Sequence, residues 1–232
     1  MRTIESRVVP GLLRAHARDG IAGPRPAAAV RDAASPVEAD VERLVDLLVA
    51  DDVEGCEALL GMLRDAGTDA ATLDEALIGP AARRLGERWD DDRCDFAAVS
   101  QGLWRLQTWV HAWEADAPGV GGSGTGRILV AAMPGCTHTL GAIVVAAAFR
   151  RAGWTVRFEA GRDAAALRDV VRAESFDLLG LCVGRDREIA EARTLVAGLR
   201  QASRRTRLRV LVGGPAFGQR ADAAASVGAD AW

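Results

Sequence analysis

From Val37 onward, apolar residues recur at helical spacing: Val41, Leu44, Val45 and Leu48 share one face, and Val53 to Leu63 repeats the pattern. Thr72 opens a third segment through Leu73, Leu77 and Ile78, which passes Pro80 and reaches Leu85 and Trp89. Asp95 stands where a side-chain cap would start a fourth, in which Phe96, Val99, Leu103, Leu106, Val110 and Trp113 recur at three- and four-residue steps. These segments predict a four-helix bundle over residues 37–116, with Phe96 and Leu103 in its core.

From Arg127 the period changes. Apolar runs at Ile128–Met133, Thr155–Ala160, Leu178–Val183 and Leu208–Val212 predict strands, with helices between them at Leu140–Ala152, Ala164–Ala173, Glu188–Gln201 and Arg220–Ser226. Such βαβ alternation implies a parallel sheet with right-handed crossovers and helices on both faces, the flavodoxin-like class of α/β fold. Ala229 to Trp232 falls where a fifth strand should begin, and the closing helix expected after it would be missing from 127–232. Residues 117–126 are a glycine-rich linker. Gly119 to Gly124 spells GxGxxG, but a dinucleotide fingerprint follows a strand and opens a helix, whereas this run precedes the first strand. Residues 1–36 combine a short apolar stretch around Val8–Ala17 with Gly23-Pro24-Arg25-Pro26 and an alanine-rich run, the composition of an extension and tether.

Composition removes several functions. All 29 basic residues are arginine, so Schiff-base chemistry, Walker-type phosphate loops and amine nucleophiles are excluded. A net charge of -3 argues against a broad phosphate-binding face and favours a small molecule or another protein as partner. The longest apolar run, Ala142 to Phe149, is far short of the ~18 residues of a membrane span, and Met1 to Pro10 is too charged for a signal peptide, so a cytoplasmic protein is expected. Cys56, Cys94, Cys136 and Cys182 form no CxxC pair; Cys56 and Cys94 read as small buried hydrophobes.

In an open parallel sheet, ligands bind beyond the carboxyl ends of the strands. The first such loop is Pro134-Gly135-Cys136-Thr137-His138-Thr139-Leu140-Gly141, whose imidazole could coordinate a metal, act as a base or cap a helix. The third, Cys182-Val183-Gly184, offers no aspartate and so is no phospho-acceptor. The fourth, Gly213-Gly214-Pro215, lets a bulky ligand approach the backbone.

The CxHxxG loop, the later Gly213-Gly214 and the preceding bundle together resemble the cobalamin-binding domains whose signature is DxHxxG followed by GG. The resemblance makes His138 the lower axial ligand of cobalt, with the displaced nucleotide tail entering the sheet domain past Cys136, Thr137, Thr139, Leu140, Gly141, Cys182, Val183, Gly184, Gly213 and Gly214. Cys136 stands where that family has aspartate, and Cys182 where it usually has serine; the first change removes a carboxylate that raises ligand basicity. The stretch from Leu85 to Trp89, with Asp92 to Val99 and Gly102 to Leu106, resembles the AerR/PpaA type of photosynthesis regulator, which places Trp89 and Val99 on the corrin. Light-sensing relatives carry, after the tryptophan and nine intervening residues, Glu-His, where this chain has Val99-Ser100.

What the resemblance implies is a non-enzymatic, light-responsive antirepressor acting through a repressor-type transcription factor, with no sequence-specific DNA binding of its own. The bound form, hydroxo-, methyl- or adenosylcobalamin, stays open, as does the oligomeric state. Alternatives on the same scaffold are a corrinoid carrier of a methyltransferase system and a haem-binding redox sensor, in which His138 or Cys136 would hold iron. For the upper axial position the candidates are His16 and His111, of which His16 is favoured and His111 reads as structural.

Overall fold

The computed structural model describes residues 36–116, 126–136, 139–217 and 221–232, so the expected extension 1–35, most of the linker, Thr137 and His138 lie outside it. Two compact units divide near residue 118.

In the first unit, α1 (Glu38–Val49) and α2 (Val53–Asp65) bury the apolar faces read from sequence, including Val41, Leu44, Val45 and Leu48. Asp52 caps α2 by accepting from Gly55 N at 2.9 Å. The third segment is broken where one continuous helix was expected: α3 (Ala70–Leu73) leads into a π-helical turn (Asp74–Ile78) and then α4 (Gly79–Asp90). Pro80 explains the break, because it has no N–H to donate and its ring would press on the preceding turn; a wider turn accommodates both defects. Asp95 caps α5 (Phe96–Asp116) by accepting from Ala98 N at 2.8 Å, as its position predicts. Helices α1 and α4 are tied by Arg88, whose nearly buried guanidinium pairs with Glu42 at 2.8 Å and Asp46 at 2.6 Å.

The second unit is an α/β fold. Its parallel sheet has the order β2-β1-β3-β4, from β1 (Arg127–Ala132), β2 (Thr155–Glu159), β3 (Leu178–Cys182) and β4 (Arg209–Gly213). Helix α6 (Leu140–Arg151) joins β1 to β2 and packs Ala142, Ala146 and Phe149 against Ile128, Val130 and Leu178. Helices α7 (Ala164–Ala173) and α8 (Ile189–Ala202) cover the opposite face, where Leu167, Val171, Leu195 and Leu199 meet Leu129, Leu179 and Val210. A short α9 (Ala221–Ser226) follows β4, and Ala231 then bridges Leu211 in parallel, in the place of the expected fifth strand. The crossovers leave β1 in opposite directions, so the order reverses between β1 and β3. In such sheets that reversal opens a crevice at the carboxyl ends. No described helix is long and apolar enough to cross a membrane.

Candidate functional site

The carboxyl end of β1 turns sharply. Cys136 N donates to Met133 O at 2.9 Å and Gly135 has φ of 76°, which makes Met133–Cys136 a type II turn with Pro134 and Gly135 at its two central positions. The turn folds Cys136 back over the end of β3. There, Met133 N donates to Cys182 O at 3.0 Å, continuing the register in which Ala132 faces Cys182. A methyl group placed on Gly184 would lie 3.6 Å from Cys136 Sγ, and one on Gly141 would lie 4.0 Å from Cys182 Sγ. Cys136 packs against the core on the α7/α8 face of the sheet and Cys182 against the core on the α6 face. Burial pushes the Cys182 thiol up to about 11, with Cys136 adding to the effect, so Cys182 is a neutral thiol at physiological pH.

Thr139 and Leu140 open α6, Leu140 buried and Gly141 exposed. Thr137 and His138 lie outside the described residues. Val183 is fully buried, its N donating to Gly213 O at 2.8 Å.

The two glycines after β4 have different physical reasons. A Cβ on Gly213 would meet nothing within 4 Å, so this position leaves room beside the crevice. Gly214 has φ of 106°, and a Cβ there would fall 2.4 Å from Val183 O. The fold's own packing thus requires Gly214, whereas Gly213 is open to a ligand. Glu188 is a residue the sequence reading missed: its carboxylate accepts from Gly184 N and Arg185 N, each at 3.2 Å, and holds the β3 loop. The signal was available, since an acid three residues into a helical turn has capping-box spacing.

In the bundle unit, Trp89 is 46% exposed and Phe96 70% exposed, their rings edge-to-face at 6.3 Å. Phe96 is therefore not core as expected: it sits at the first turn of α5, ahead of the interior stripe. Val99 is 6% exposed and buried, as are Leu106 and Val110 of the same apolar stripe. His111 is exposed on α5, and His16 lies outside the described residues. Cys56 is fully buried and Cys94 half-buried. Among the described residues, no three His, Cys, Asp or Glu side chains cluster as a metal site.

The B12 binding domain family matches residues 126–232. A curated relative, the uncharacterized 20.5 kDa protein in the bchF-crtJ intergenic region of Rhodobacter capsulatus, is 36% identical over 155 residues, covering 66% of this chain and 80% of that protein. Among solved structures, the Methanosarcina barkeri monomethylamine corrinoid protein superposes with a TM-score of 0.62 at 14% identity, over 84% of this chain and 92% of that one. That likeness establishes the fold. The chain belongs to the B12-binding domain family and, within it, to the AerR/PpaA type.

Proposed function

We propose that this protein is a cobalamin-binding, light-responsive transcriptional regulator that acts through a repressor protein and catalyses no reaction. The observation that supports this most is the 36% identity with the bchF-crtJ intergenic protein, joined to a B12-binding domain over residues 126–232. The residues present fit the cofactor: Gly213 opens onto free space, Gly141 leaves 4.0 Å to Cys182, and the crevice lies at the point where strand order reverses.

His138 would hold the lower face of the corrin, with Cys136, Thr137, Thr139, Leu140 and Gly141 around it. Cys182, Val183, Gly184, Gly213 and Gly214 would border the nucleotide tail, and Trp89 would present apolar surface to the ring. Cobalamin, when bound, supplies a cobalt centre whose alkyl bond is broken by light. Cys136 offers the imidazole a weaker acceptor than the carboxylate of related sites, so Cys136→Asp should tighten binding. After illumination His16, rather than His111, would be the second imidazole to hold the cobalt, and the N-terminal extension would carry the signal a repressor reads.

A corrinoid carrier would share this scaffold, but the thiol at position 136 in place of a carboxylate favours regulation over repeated redox cycling of cobalt. Haem has no nucleotide tail to use the space beside Gly213. Two experiments test the regulatory reading. Footprinting of the isolated protein on promoter DNA at physiological salt should show no protected site; nanomolar protection would replace the antirepressor by a direct regulator. Illumination of the protein loaded with alkylcobalamin should give a bis-histidine spectrum in wild type and His111→Ala but not in His16→Ala; its persistence in His16→Ala would remove the extension from the mechanism.

A further inference from the structure

We propose that the outer face of α5 around Trp104 is a docking surface for a cationic amphipathic helix of another protein, one whose apolar stripe is flanked by arginine or lysine. The net charge of -3 conceals a division along the chain. Residues 36–116 carry 19 acidic side chains against seven arginines, a net of -12, whereas residues 126–232 carry ten against 16 arginines, a net of +6. Within the acidic unit α5 stands apart, because from Phe96 to Trp113 its only charged side chain is Arg105. Arg105 pairs with Asp51 and its side chain is 15% exposed, so this one charge is drawn to the side of the helix.

The outer face of α5 is a stripe. Ala97, Gln101, Trp104, Thr108 and Ala112 recur at steps of three and four residues and are all exposed, opposite the buried Val99, Leu106 and Val110. Trp104 is 64% exposed at its centre. The Thr108 hydroxyl donates to Trp104 O at 2.9 Å, so its hydrogen-bonding capacity is spent within the helix. Eight residues at about 100° each place Trp104 roughly 80° round the helix from Phe96, which separates the stripe from the Trp89–Phe96 pair. The rim selects the partner. On the Arg105 side the chain exposes Asp51, Asp52 and Glu57, and the charges of Arg105, Asp52 and Glu57 all act on the Cys56 thiol, which gathers them round one point. Before the stripe, Asp90, Asp91, Asp92 and Asp95 are exposed as well. A second copy would bring one unit of -12 against another, whereas a cationic helix covers the indole with its apolar stripe and gains attraction at its flanks.

This surface goes beyond the cofactor and regulatory readings and rests on neither. The test uses the full chain without cobalamin and a synthetic, fluorescently labelled helix of about 20 residues, long enough to hold its shape, with leucine along one stripe and arginine on both flanks. Fluorescence anisotropy should show binding that weakens as salt rises. The same peptide with glutamate in place of arginine, and one of equal composition with the stripe scrambled, should bind far more weakly. Trp104→Ala should weaken binding about tenfold or more, and Thr108→Arg should weaken it too by setting a like charge on an exposed position; far-UV circular dichroism checks that both variants keep their helix content. Glu57→Arg should give the smaller loss expected of a rim charge. No binding of the arginine helix, or binding that Trp104→Ala and Thr108→Arg leave unchanged, would overturn the proposal, the second result by showing attraction to the acidic unit as a whole. Equal binding of the glutamate peptide would overturn the cationic partner. A concentration-dependent dimer in sedimentation velocity that Trp104→Ala dissolves would give the face to a second copy instead.

Discussion

Gly213→Ala and Gly214→Ala change neighbouring residues by one methyl group each and should have opposite consequences. At Gly214 the backbone has φ of 106°, a conformation that costs a non-glycine residue about 1–3 kcal/mol. The new Cβ would also stand 2.4 Å from Val183 O and 3.1 Å from Val183 N. Val183 cannot yield cheaply: it is fully buried, its N donates to Gly213 O at 2.8 Å and its carbonyl accepts from Ala216 N at 3.3 Å. Overpacking of this kind adds about 1–3 kcal/mol, so Gly214→Ala should lose about 2–6 kcal/mol in total. For a unit of this size each kcal/mol lowers Tm by roughly 4–8 °C, giving a fall of roughly 8 °C or more. Gly213→Ala meets open space and should leave stability unchanged or raise it by about 0.4–1 kcal/mol, while lowering cobalamin retention because its methyl group enters the room left for the tail. Urea and thermal unfolding followed by far-UV circular dichroism, with cofactor retention measured after desalting, separates the two variants. An undisturbed Gly214→Ala, or a Gly213→Ala that unfolds early, would refute the division of roles between the two glycines.

In the bundle, Arg88→Ala removes a buried guanidinium and its stem from between α1 and α4, and should cost about 1–3 kcal/mol; the discount from a fully buried pair reflects Glu42 and Asp46, which water can solvate, and urea unfolding measures it. Trp89→Ala should change stability by no more than about 0.5 kcal/mol, since the ring is 46% exposed, yet reduce cobalamin retention; a large loss of stability would make Trp89 a packing residue instead. For Glu159, burial alone would raise the carboxyl pKa, but hydrogen bonds from Arg157 and Arg162 outweigh it and hold the value below 4.5. A depressed folded pKa means that the stabilisation is present above the unfolded value and is lost as pH falls through the folded one, so Glu159→Gln should flatten the acid limb of the stability profile below pH 4.5. An acid limb identical to wild type would contradict this.

The sheet unit was largely legible because its strands are short apolar runs bounded by glycine, proline or polar residues. The strand expected at Thr155–Ala160 is observed at Thr155–Glu159, and the helix at Ala164–Ala173 matches throughout. Asp95 announced its helix because an acceptor before an apolar period is a local signal. What escaped depends on the third dimension. Periodicity placed Phe96 and Val99 on a common stripe, but only the packed bundle shows the first turned outward and the second inward. The Gly213-Gly214 pair looks uniform in sequence, and the difference between them is a carbonyl oxygen thirty-one residues earlier in the chain, at Val183.

One absorption experiment decides whether cobalamin is held through His138. Purified wild type and His138→Ala are incubated separately with hydroxo-, methyl- and adenosylcobalamin and with hemin, desalted, and their spectra recorded. Wild type should retain a cobalamin with a histidine-coordinated spectrum and release hemin, while His138→Ala should lose that spectrum and most of the bound cofactor. Equal retention and identical cobalamin spectra in the two proteins, or hemin as the chromophore that stays, would contradict the assignment.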